Sequence, residues 1–195
     1  MRLVIDPGHG APDSGTVHNG IVEKDLTLEL GFQLEDVILK TRWFYDVKMT
    51  RRVDRNLRNA EAGKIAHDHQ ADLVISIHVN GVVNPQARGL EVYHLSGDVV
   101  GREVADAICR AAPAPLRHPT RTVGKAAIGE EPHLRNIRAV LTPMPRPSVL
   151  VEVGFCSNPQ DAAALKSDVV QRGIVAAMLC GALEAQRRMG MNGKG

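Results

Sequence analysis

Residues 72–79 read DLVISIHV, five aliphatic side chains closing around Ser76 and running into His78. So short a run, almost free of polar residues, has the pattern of a strand buried on both faces. LVID at 3–6 and SVLVEVGF at 148–155 repeat it, and YDVKMT (45–50) and GLEVYHL (89–95) read as further strands. Helical spacing fills the intervals. EKDLTLELGFQLEDVILK (23–40) puts Leu26, Leu30, Leu34, Val37 and Ile38 on one face, and NLRNAEAGKIAHDHQ (56–70) predicts a second helix. Further helices are expected at about 99–112, 159–166 and 168–188. Seven prolines mark 113–147 as mostly loop, with a short helix from Pro132 to Ile137. The alternation predicts a single α/β domain: a twisted, largely parallel sheet flanked by helices on both faces. Its expected limits are 1–188, followed by a flexible tail at 189–195.

Composition narrows the function. The 195 residues are 44% hydrophobic and 24% charged, ordinary for a globular domain. A net charge of +2 and 3% aromatic residues argue against a nucleic-acid partner. Cys109, Cys156 and Cys180 show neither metal-cage nor disulfide spacing and read as small buried hydrophobes. No apolar run approaches 18 residues, so no membrane insertion is expected, and no signal peptide is evident ahead of Leu3.

Three of the apolar runs end on an ionisable residue: LVIDPGH on His9, LVISIH on His78 and SVLVE on Glu152. In open parallel sheets ligands bind beyond the carboxyl ends of the strands, so parallel neighbours would bring all three to one edge. Two histidines begin a metal site, but a catalytic zinc usually takes three protein ligands. Glu23 is the best third candidate, because it opens the first helix directly after the glycine-rich loop that starts at His9. A carboxylate there is equally explained by the helix dipole, so spacing leaves ligand and cap both open. His67 and His69, two apart on a helix, point in different directions and read as a solvated face. His18, His94, His118 and His133 have no nameable partner; His94 is a candidate for a groove wall, with core or surface the plainer reading. Cys156 has no base at a fixed local offset, which disfavours a cysteine hydrolase.

VIDPGHGAPDSGTVHNGIVEKDLTL resembles the N-terminal motif of the zinc-dependent N-acetylmuramoyl-L-alanine amidases of the amidase-3 type. VKMTRRVDRNLRNAEAGKIAHDHQADLVISIHVN, GLEVYHL and PSVLVEVGFCSNPQDAAAL follow in the family's order, so the resemblance spans roughly residues 3–185. It implies one zinc ion per chain held by His9, Glu23 and His78, with Glu152 as the catalytic carboxylate. The implied reaction is hydrolysis of the amide between the lactyl group of N-acetylmuramic acid and the L-alanine of the stem peptide. Peptidoglycan would be the substrate, met outside the cytoplasm by a monomer that arrives as a phage lysin through a partner pore or as a mature exported domain.

Gly8 and Gly10 would let the chain fold tightly around His9. Asp6 could orient a ligand imidazole or cap a turn, and Asn80 could bond a ligand neighbour, the substrate or a turn. Thr50-Arg51 resembles a family element, although an exposed ion pair explains Arg51 as well. The chain departs from the family at Thr142, where relatives often carry an arginine, and Arg138 or Arg146 are candidate substitutes. The proline-rich 113–147 is too short for the inhibitory helix of some relatives, which implies an open groove. Competing expectations are a zinc peptidase cutting within the stem and a non-catalytic peptidoglycan-binding module.

Overall fold

The computed structural model describes residues 1–41, 46–117, 124–127 and 131–191. In chain order the elements are β1 (Arg2–Pro7), the short pair β2 (Val17–His18) and β3 (Ile21–Val22), α1 (Glu23–Thr41), β4 (Asp46–Met49), α2 (Asn59–Asp68), β5 (Leu73–Asn80) and β6 (Glu91–His94). They continue with α3 (Val99–Ala111), a 3-10 turn (Ala114–Leu116), β7 (Lys125–Ala126), α4 (Pro132–Leu141), β8 (Ser148–Phe155), α5 (Pro159–Leu165) and α6 (Asp168–Arg188). Six strands form one sheet in the order β4-β1-β5-β8-β6-β7. The first four run parallel, whereas β6 runs antiparallel to β8 and β7 follows β6.

The apolar runs form strands buried on both faces because alternate side chains enter two different layers. Leu3, Ile5, Leu73, Ile75, Val149 and Val151 point to one face, where α1, α3 and α6 pack. Val4 and Val74 point to the other, against Ala62 and Ala66 of α2, while Leu150 and Tyr93 meet Ile137 and Leu141 of α4. Leu26, Leu30, Leu34 and Ile38 lie one turn apart on α1 and are all buried. Gly181 brings α6 close to α3: a Cβ there would lie 2.5 Å from Ile108 Cγ1.

The helices at 99–111, 159–165 and 168–188 lie where periodicity puts them, and the one at Pro132 runs on to Leu141. The second strand spans Asp46–Met49; Tyr45, His118 and the tail beyond 191 fall outside the described residues. The reversed β6 has a simple cause. Residues 81–90 contain no helix to carry the chain across the sheet, so β6 starts at the edge where β5 ends. Glu91, not His94, therefore sits at the carboxyl edge of the parallel strands. None of the described helices is long and apolar enough to cross a membrane.

Candidate metal centre

β1 delivers the chain to Gly8-His9-Gly10, where His9 adopts φ 62° and Gly10 φ 144°. A left-handed backbone at a non-glycine residue costs on the order of 1–3 kcal/mol and persists only where neighbours over-determine it. They do so here. The Gly8 N–H donates to the Ile77 carbonyl (2.9 Å), and Gly10 and Asp13 exchange two backbone hydrogen bonds (2.9 and 2.7 Å). The Asp13 carboxylate lies 2.8 Å from His9 Nδ1, which fixes the ring and turns Nε2 inward.

Facing that nitrogen is Glu23, the first residue of α1, whose Oε1 lies 3.2 Å from His9 Nε2 and 3.1 Å from His78 Nδ1. Its carboxylate accepts hydrogen bonds from the N–H groups of Thr16 (2.8 Å, Oε2) and Val79 (2.9 Å, Oε1). Both donors lie outside the first turn of α1, so Glu23 does not cap its own helix. One donor atom from each of His9, Glu23 and His78 lies within 4.8 Å of the others, and the group could hold a metal ion. Burial alone would lower the His9 imidazole, but hydrogen bonds and charge from Glu23 and Asp13 outweigh it and raise it to about 9. Burial likewise opposes ionisation of Glu23, yet the two imidazoles hold its carboxyl well below the usual range. Carboxylate and imidazoles thus stabilise one another's charged forms.

Two glycines keep space for it. A Cβ on Gly8 would lie 2.4 Å from His78 Cε1, and one on Gly15 (φ 62°) 2.5 Å from Glu23 Oε2. Gly8→Ala must displace the His78 ring. It is expected to weaken metal binding by about 10–100-fold, the range for a lost ligand-orienting contact, with the fold retained; titration with a divalent metal against a chelating dye reads the change.

Glu152, on β8, shares a register row with His78 on β5 and Glu91 on β6. Its Oε2 is sealed from solvent and has no hydrogen-bond partner among the described residues. Burial, reinforced by Glu23 and Glu91 and opposed by the two histidines, pushes its carboxyl up to about 7. A carboxylate poised near neutrality, with an unused oxygen beside a cation site, suits proton transfer. Beside it, the Tyr93 hydroxyl donates to Glu91 (2.8 Å), which also receives the Lys125 ammonium.

All four residues line a groove of about 740 Å³ that runs out between the start of α2 and α4. Asn56, Leu57, Arg58 and Asn59 form one wall, and His133, Asn136, Ile137 and Val140 the other. His133 thus faces the groove, while His94 is buried at the opposite end of the sheet, its Nδ1 2.9 Å from the Leu95 carbonyl. Among the described groove-lining residues the one arginine is Arg58; Arg138, Arg146 and Thr142 are not among them.

Asp6 touches no ligand imidazole. It accepts from Thr50 Oγ1 (2.7 Å) and Ser76 Oγ (2.8 Å), binding β4, β1 and β5 together beneath the centre. Asn80 accepts the Cys156 N–H through its carbonyl (2.9 Å). Arg51 makes no exposed ion pair among the described residues; it is 5% exposed and spends its N–H groups inside the molecule. His69 packs 3.6 Å from Asp46 with 12% of its side chain exposed, while His67 is exposed, so the solvated-face reading holds for His67 alone. Cys156 is fully buried, and burial pushes its thiol up to about 11, so it stays protonated and unreactive.

An α/β sheet whose carboxyl edge gathers two imidazoles and a carboxylate that could hold a metal ion, with a further carboxylate alongside, has the parts of a hydrolase site. Comparison with known proteins agrees. The chain is 28% identical over 197 residues to the germination-specific N-acetylmuramoyl-L-alanine amidase of Bacillus subtilis (strain 168), covering 93% of this chain and 78% of that protein. It is 30% identical over 171 residues to the endolysin of Bacillus phage SPP1, covering 84% of this chain and 58% of the endolysin. The solved structure of the N-acetylmuramoyl-L-alanine amidase AmiC2 of Nostoc punctiforme superposes with a TM-score of 0.79 at 28% identity, over 96% of this chain and 98% of that one. Residues 3–184 match the family Amidase_3, N-acetylmuramoyl-L-alanine amidase, and the chain belongs to that family.

Proposed function

We propose that this protein is a zinc-dependent hydrolase that cleaves the amide between the lactyl group of N-acetylmuramic acid and the L-alanine of the peptidoglycan stem. One observation carries the reading: His9, Glu23 and His78 converge within 4.8 Å while Glu152, in register with His78, offers a carboxylate oxygen with no hydrogen-bond partner among the described residues. The donor set fits zinc, since two imidazoles, neutral once the metal has displaced their protons, and one carboxylate would leave a net positive site. A zinc ion held there supplies Lewis acidity, polarising the amide carbonyl and acidifying water. Glu152 takes the proton of the attacking water and delivers it to the departing L-alanine nitrogen, so the products are a lactyl carboxylic acid and a stem with a free N-terminus. Asp13 keeps His9 aimed, and the groove between α2 and α4 holds the substrate across the site. Residues 1–188 constitute the catalytic unit.

Mass spectrometry of purified peptidoglycan digested with and without chelator tests this reading. Intact stems beginning at L-alanine, absent under chelation, are the expected result. Fragments cut inside the stem would make the protein a peptidase, and no release from several wall types would leave a binding module.

A further inference from the structure

The Arg51 guanidinium, which the proposed reaction does not use, is buried without a carboxylate hydrogen-bond partner among the described residues. Nε donates to the Pro7 carbonyl (2.9 Å) and Nη1 to the Val53 carbonyl (3.2 Å). Nη2 donates to the carbonyls of Gly8 (3.0 Å) and Lys24 (2.7 Å) and lies 3.1 Å from Thr27 Oγ1. The Thr27 hydroxyl in turn donates to the Gly8 carbonyl (2.8 Å). Gly8 immediately precedes His9, and Lys24 immediately follows Glu23. One planar fork therefore joins the peptide that precedes one metal-ligand candidate to the carbonyl of the residue that follows another. The Gly8 carbonyl it grips belongs to the peptide plane whose other end, the His9 nitrogen, enters the left-handed turn.

We infer that Arg51 is a positioning residue that sets the separation and orientation of His9 and Glu23, so that the metal centre is assembled before a metal arrives. The inference rests on His9, Glu23 and His78 being that centre. Fork geometry is the reason for arginine here: an ammonium is a point donor on a flexible stem and cannot span four carbonyls in fixed directions. Burying the charge costs solvation, and the carbonyl oxygens of Pro7, Gly8, Val53 and Lys24 replace the lost water. A simple clamp on the fold could sit anywhere; this one touches the chain beside two ligands.

The test is zinc affinity, measured by competition with a chromophoric chelator on protein shown by circular dichroism to be folded without metal. Four proteins are compared: the parent, Arg51→Lys, His9→Ala and Leu34→Ala, the last a buried α1 residue remote from the site. Arg51→Lys keeps the charge and loses the fork. Its zinc dissociation constant is expected to rise about 10–100-fold, the range for outer-shell partners. Leu34→Ala lowers the melting temperature of the metal-free protein and leaves zinc affinity where it was, which separates positioning from general stability. If Arg51→Lys does not fold, Arg51→Met carries the test, since it removes the buried charge along with the fork. Zinc affinity within twofold of the parent in the folded Arg51 variant, with affinity lost in His9→Ala, overturns the inference and leaves the metal centre standing. Unchanged affinity in both overturns both.

Discussion

Glu152→Gln is expected to keep one zinc ion per chain and to lose about 10²–10⁴-fold in turnover, the range for removing a general acid–base. The substitution is nearly isosteric, so the β8 register with His78 and Glu91 survives. What disappears is a group that can accept a proton. Glu152 Oε2 has no hydrogen-bond partner among the described residues, so no donor is left stranded when the carboxylate becomes an amide. Zinc content by elemental analysis and the rate of release of stems beginning at L-alanine check the two halves separately. More than about a tenth of the parent rate would remove Glu152 from the chemistry.

His9→Ala is expected to lose metal and activity together. Two ligands remain, fewer than the three that catalytic zinc sites use. The loss reaches further, because Asp13 gives up its 2.8 Å contact with His9 Nδ1 and Glu23 its 3.2 Å contact with Nε2, leaving excess negative charge at the edge of the sheet. Thermal unfolding with and without added zinc gives a readout independent of substrate. A bound ligand stabilises the native state by RT ln(1 + [L]/Kd), so the parent melts higher with zinc and the variant does not. Normal zinc content in His9→Ala would remove it from the ligand set.

The sequence reveals what depends on short-range pattern. Buried parallel strands read as apolar runs, and β1, β5 and β8 each lead to an ionisable residue, so the edge where His9, His78 and Glu152 gather is legible in the residue order alone. Glu23 is only half legible: its place at a helix start fits a cap, and the hydrogen bonds from Thr16 and Val79 that set the cap aside come from other chain segments. The direction of β6 is hidden because four residues read alike both ways; the missing crossover helix decides it. Two-residue strands such as β2, β3 and β7 leave no periodic signal at all. Arg51 is misread, and the role of Asp13 goes unseen, for a related reason. Aspartate in a glycine-rich loop suggests a turn and arginine suggests surface, and only tertiary packing turns one onto a ring and the other inward. His133 and Asn136 become groove residues solely because α4 lies opposite α2.

β8 comes late in the chain yet occupies the middle of the sheet, between β5 and β6. A chain synthesised only as far as β7 already carries His9, Glu23 and His78, but the slot beside β5 is empty and Glu152 does not yet exist. Filling that slot is a long-range pairing, the slow kind of folding event. The same strand joins the two parts of the sheet and carries Glu152, so a chain ending before β8 lacks both the middle of its sheet and the proposed proton-transfer group.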